Sequence, residues 1–153
     1  LVASQVKVLA EVVGAATAND REFWLRQLIE TLAAAAQEGA LPDGIGRLER
    51  LGESLPEDDP LRPFLMFRLA SARYAGRMQQ PEADIEEVQN AWLDELAAFV
   101  EAYPEADDAA EAMLQIGIAD EFSGREDEAV DRYQAIVDRF PASPSARKAR
   151  GAV

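Results

Sequence analysis

Residues 110–141, AEAMLQIGIADEFSGREDEAVDRYQAIVDRFP, admit essentially one local solution. Apolar and small side chains recur every three to four positions on both sides of Ser123-Gly124, which is helical spacing. Gly124 supplies the backbone freedom that a tight turn between helices needs. Pro141 cannot continue a helix and stops the second segment. Such a unit is a helical hairpin, and the chain before it reads as variations on the same unit.

Composition points the same way. Apolar residues make up 48% of 153 positions, enough to bury a core in one domain's length of chain. Alanine, leucine, glutamate and arginine dominate, all good helix formers. Valine and isoleucine form no alternating run, so strands are not expected. The net charge is −14, from 15 basic and 29 acidic residues. An acidic surface repels phosphate backbones and anionic headgroups, so nucleic acid is not an expected partner. With no cysteine and no histidine, thiol chemistry and every histidine-based triad, general base or haem ligand are excluded, and zinc sites are not expected. No apolar run reaches membrane-spanning length, so this segment is not expected to insert in a membrane. The opening LVASQVKV lacks an initiator methionine and a signal peptide, which suggests a fragment or processed form.

Taken in order, the chain divides into seven or eight helices. Positions 2–16 carry apolar residues at helical spacing, with Asn19 or Asp20 placed to cap the next segment. Over 21–38, Trp24, Leu25, Leu28, Ile29, Leu32 and Ala36 share a face, Gly39 closes the helix, and the alanines of 33–36 allow a neighbour to approach closely. Ile45, Leu48, Leu51 and Leu55 mark a short third helix ended by Pro56. Residues 61–77 are apolar nearly all round, which predicts burial on several sides and a central position. Asp84 or a neighbour caps a helix whose stripe is Ile85, Val88, Trp92, Leu96, Phe99, Val100 and Tyr103. Ser143-Pro144-Ser145 starts a last helix that has hardly begun at Val153.

The boundaries Leu55-Pro56, Tyr103-Pro104 and Phe140-Pro141 share one grammar. Superposing Pro104 on Pro141 aligns Leu96 with Tyr133, Phe99 with Ile136, Val100 with Val137, Ala109 with Ala146 and Ala112 with Ala149. Superposing Pro56 on Pro104 aligns Leu48 with Leu96, Leu51 with Phe99, Tyr74 with Phe122 and Gly76 with Gly124. The unequal spacings describe a degenerate helical-hairpin repeat over 1–153, best formed at 110–141.

The last unit resembles the tetratricopeptide repeat, a helix–turn–helix unit of about 34 residues. The matching positions are Ile116-Gly117, Gly124, Ala129, Tyr133 and Pro141. Gly117 and Ala129 are small so that two helices touch, and Tyr133 fills space between hairpins. Met113 and Asp120 depart from the pattern, where the family prefers Trp and Tyr. The run from Trp92 to Val153, with residues 25–51 upstream, also resembles the helical region that precedes the thioredoxin-like domain of exported bacterial redoxin proteins of the TlpA type. That resemblance implies an extracytoplasmic, non-catalytic region whose redox domain would follow Val153.

Candidate sites are few. Leu114, Ile118 and Phe122, four residues apart, form a second apolar stripe on the helix of 108–122, with Glu121 beside it. In tetratricopeptide arrays the first helix of each unit lines the concave surface, so the stripe is a candidate peptide or domain groove, set against simple packing on residues 61–77. Arg68 and Arg73, in an otherwise apolar helix, are candidates to hold a partner's carboxylate, set against an internal ion pair. The acidic clusters at 57–59 and 105–108 read as helix caps rather than cation ligands, and Trp24 and Trp92 as core. A hydrolase built on paired carboxylates needs two such groups about 5–10 Å apart across a cleft; every acidic residue here has a simpler reading as cap or solvated face. The expectation is therefore an all-α domain of stacked antiparallel hairpins, a short solenoid or compact bundle. Its role would be binding or scaffolding through a protein, a peptide or a downstream domain, with no catalytic residue, cofactor or metal. The alternatives are a free-standing adaptor of envelope assembly and a small-molecule- or metal-binding helical domain.

Overall fold

A computed structural model describes residues 1–153. The chain is all helical: α1 Val2–Ala15, α2 Ala18–Gln37, α3 Gly44–Ser54, α4 Arg62–Met78, α5 Ile85–Ala102, α6 Asp107–Phe122, α7 Glu126–Arg139 and α8 Pro144–Ala152. It divides into two compact units, Leu1–Val88 and Gln89–Val153. The break between them falls in the first turn of α5.

The helix ends follow capping chemistry. Gly39 and Gly124 both adopt positive φ, 69° and 76°, the left-handed turn conformation that glycine tolerates best. Asp84 precedes α5 and its carboxylate accepts from the Glu87 amide; Ser143 precedes α8 and accepts from the Ala146 amide. Asp59 does not cap α4: its carboxylate accepts from the amide of Leu61, the residue before the helix, at 2.9 Å, and closes the turn that leads into it. One cap differs from expectation. Thr17 stands before α2, while Asn19 and Asp20 lie inside its first turn. There Asp20 accepts from the Thr17 hydroxyl and places a negative charge at the positive end of the helix.

In unit 1, α2 packs against α1, α3 and α4, and α4 against α2 and α3. The hub is therefore α2, not the apolar helix of 61–77 expected at the centre. The reason lies in how α4 spreads its burial. Only Leu61, Leu65, Leu69 and Ala72 are sealed, on one stripe, while the other residues of 62–78 are half-buried. α2 seals Leu25, Leu28, Ile29, Leu32, Ala33 and Ala35. The alanines do admit a close neighbour: a β-carbon on Gly44 would lie 3.0 Å from that of Ala36.

In unit 2, α6 and α7 form the hairpin and α8 packs against both. Their core is Ala110, Met113, Leu114, Ala129, Tyr133, Ile136, Ala146 and Ala149, with Val100 of α5 packed onto it. A β-carbon on Gly117 would lie 2.6 Å from the Tyr133 ring, so only glycine lets α7 seat its tyrosine there.

The repeat survives in burial. Every pair aligned by Pro104 and Pro141 agrees: Leu96 and Tyr133 are buried, as are Phe99 and Ile136, Ala109 and Ala146, and Ala112 and Ala149, while Val100 and Val137 are half-buried. The alignment on Pro56 holds at Leu48 but fails at Gly76. That glycine lies inside α4, which runs on to Met78, whereas Gly124 makes a turn.

Candidate protein-interaction site

The exposed face of α6 follows from its periodicity. Met113, Gly117 and Asp120 turn towards α7. Glu111, Gln115, Ile118 and Phe122, spaced by four, three and four, share another face. Phe122 is 90% exposed and Ile118 40%, on a helix whose other large apolar side chains are sealed.

Leu114 does not join them. It is 4% exposed and belongs to the unit 2 core, so the stripe expected from spacing of four splits after its first member. The cause is rotation: each step of four leaves a helical position about 40° further round the axis, so a strict four-residue stripe winds from the core to the surface.

Glu121 is bound inward, accepting at 2.8 Å from the Tyr133 hydroxyl. The buried tyrosine thus finds the polar partner that its hydroxyl requires. Burial, and then the Glu121 carboxylate beside it, push the Tyr133 pKa up from 10.0 to about 12.

Arg68 and Arg73 are likewise engaged within unit 1. Arg73 pairs with Glu49 of α3 at 2.6 Å. Arg68 lies 3.4 Å from the centroid of the Phe64 ring, a cation–π contact, and donates to the Phe64 carbonyl. Both cations make contacts inside their own unit.

Two polar features of unit 2 were not legible in the sequence. Asp120, 5% exposed, carries a full ion-pair set: Arg125 donates to Oδ1 through Nε (3.1 Å) and Nη2 (2.7 Å), and Arg132 donates to Oδ2 at 3.2 Å. Its backbone carbonyl also accepts from the Arg125 amide, so one residue ties the turn and the first turns of α7 to α6. The second is a polar relay across three helices. Trp92 Nε1 donates to Gln115 (3.0 Å), Gln115 donates to Glu111 (3.3 Å), and the Ser145 hydroxyl donates to Glu111 (3.1 Å). Trp92 is buried as expected, and its indole N–H anchors this chain. The partners are 4, 23 and 34 residues apart; only the four-residue step is a spacing that a helix pattern reveals.

No helix is long and apolar enough to cross a membrane, and no group of three or more carboxylates converges as a metal site would require.

Comparison with known proteins agrees with this geometry over one stretch. The family profile of the tetratricopeptide repeat matches residues 111–143, which is α6 from its second turn, the Gly124 turn, and α7 through to the start of α8. No curated protein and no solved structure matches the chain. The chain is thus all helical, and one stretch of it in unit 2, residues 111–143, matches the tetratricopeptide repeat.

Proposed function

We propose that the chain is a non-catalytic protein-interaction module that docks a partner on the α6 edge formed by Ile118 and Phe122. One observation carries the reading: Phe122, a large aromatic side chain, stands 90% exposed at the end of a helix that otherwise buries its apolar residues. An exposed aromatic on a rigid helix is the kind of anchor that dominates interface energies. Helical-hairpin repeats expose such faces along their first helices, and α6 is the first helix of the matched repeat. The acidic surface disfavours nucleic acid as the partner.

The test is site-specific photocrosslinking. A photoreactive phenylalanine at position 122 should capture a discrete partner from the native host, and the same group at Asp138, on the exposed face of α7, should not. Equal capture at both positions, or none at 122, would sink the reading.

The finer reading is that the chain is the N-terminal helical region of a larger exported redoxin protein. It is supported by the likeness of 92–153 and 25–51 to that region. Reading the native gene beyond Val153 tests it: a CxxC-bearing thioredoxin-like domain is the expected result, and a stop codon ends the proposal.

A further inference from the structure

The exposed face of α6 is half apolar and half polar, and its one charge, Glu111, has no counterion. Both oxygens of Glu111 accept from neutral donors, Gln115 and Ser145. The contrast with Asp120 on the same helix is direct, since Asp120 takes two arginines. Glu111 is half-buried and held in place from two sides, so it is a positioned carboxylate and not a freely rotating surface acid. Its surroundings reinforce its sign. Residues 89–153 carry 14 acidic and 6 basic side chains, and two of those six, Arg125 and Arg132, are spent on Asp120.

We infer that the partner docked on α6 is a cationic segment that places a lysine or arginine on Glu111 and an apolar side chain on Ile118 and Phe122. The inference rests on the docking reading above and names the chemistry of the occupant. Charge complementarity selects it: a half-buried, oriented carboxylate without a cation favours a partner that brings one, and disfavours an acidic partner. The geometry sets a spacing. Ile118 and Phe122 lie seven and eleven residues along the helix from Glu111, about 10 Å and about 16 Å at 1.5 Å per residue. An extended segment spans those distances in about three to five residues at 3.3 Å each. The cation and the apolar anchor should therefore fall three to five residues apart in the bound sequence. A second copy of this chain is disfavoured, because two bodies of charge −14 repel.

The experiment is selection of a random 12-residue phage-displayed peptide library on the intact chain, followed by fluorescence anisotropy of the selected peptides. The expected enrichment is lysine or arginine three to five residues from Leu, Ile or Phe. Glu111→Gln keeps the hydrogen-bonding shape and removes the charge, so it should weaken those peptides about fivefold and flatten their salt dependence. Phe122→Ser, at a fully solvated position, should abolish binding with the circular dichroism spectrum unchanged. Peptides that need Phe122 but show no cation preference, or that bind Glu111→Gln as well as the wild type, overturn the inference and leave the docking reading standing. Peptides indifferent to Phe122→Ser overturn both. So does association of the chain with itself in sedimentation velocity that Phe122→Ser abolishes, since the edge would then be covered by a second copy.

Discussion

The two units solve the same packing problem with different materials. Unit 1 fills its core with Leu25, Leu28, Ile29, Leu32, Leu48, Leu65 and Leu69. In unit 2 the α6–α8 core mixes Met113, Leu114 and Ile136 with small residues, Ala110, Ala129, Ala146, Ala149 and Gly117, and the Tyr133 ring fills the gap beside Gly117. Large branched side chains hold helices apart and share the space among many near-equivalent residues, so exchange among them is tolerated. Small residues bring backbones close, and each contact then depends on one residue having one size. The tetratricopeptide repeat profile falls on the small-residue core, at 111–143.

The sharpest way to break this comparison is to empty each core at its most buried side chain. Tyr133→Ala should cost about 4 kcal/mol and Leu65→Ala about 3 kcal/mol, both read as loss of urea-unfolding free energy. Amide exchange in α6–α8 should quicken for the first variant. A smaller loss at Tyr133 than at Leu65 would show that the α6–α8 core does not depend on the Tyr133 ring. Next in size is the ion-pair set. Asp120→Ala leaves Arg125 and Arg132 facing an apolar site, and because both are partly exposed the cost should be about 2 kcal/mol, below that of a fully buried pair. The unit 1 counterpart, Glu49→Ala opposite Arg73, should cost under about 1 kcal/mol, because both partners are solvated.

Glycine substitution separates the units at finer scale. Gly117→Ala drives a β-carbon into the rigid Tyr133 ring at 2.6 Å. Overpacking should outweigh the gain in helix propensity and leave a net loss of about 1–2 kcal/mol. Gly52→Ala in α3 meets only the far end of Leu65 at 3.0 Å, which can turn aside, so its net effect should be close to zero. Equal losses from the two would erase the distinction. The smallest effect is in alkali. The Tyr133 pKa is raised from 10.0 to about 12 in the folded chain, so the neutral phenol favours folding. That contribution is complete below pH 10 and fades as pH climbs towards 12. Urea midpoints at pH 9 and pH 11 should converge for wild type and Tyr133→Phe at the higher pH, because the variant has no proton to lose.

Helix number, order and ends were legible in the sequence to within a few residues, because proline stops, glycine turns and three-to-four spacing act locally. The hub was not: α4 is more uniformly apolar than α2, yet apolar composition does not say which face a neighbour covers. At the candidate site, Phe122 was legible as an apolar residue at a helix end and Leu114 was misplaced, since spacing of four drifts round the axis. Asp120 and the relay through Glu111 were hidden for a different reason. An acid in a helix reads as a solvated face unless its partners are known, and here most lie on other helices.

The triad of Asp120, Arg125 and Arg132 also constrains how such a hairpin can change over time. Losing the carboxylate strands two cations, and losing an arginine leaves a sealed charge half-satisfied, so each single step away is a step down in stability. An apolar residue at 120, the ordinary alternative, becomes favourable only after the arginines are gone. Hairpins with the triad and hairpins without it are therefore separated by a less stable intermediate, and sequences should populate the two states rather than grade between them.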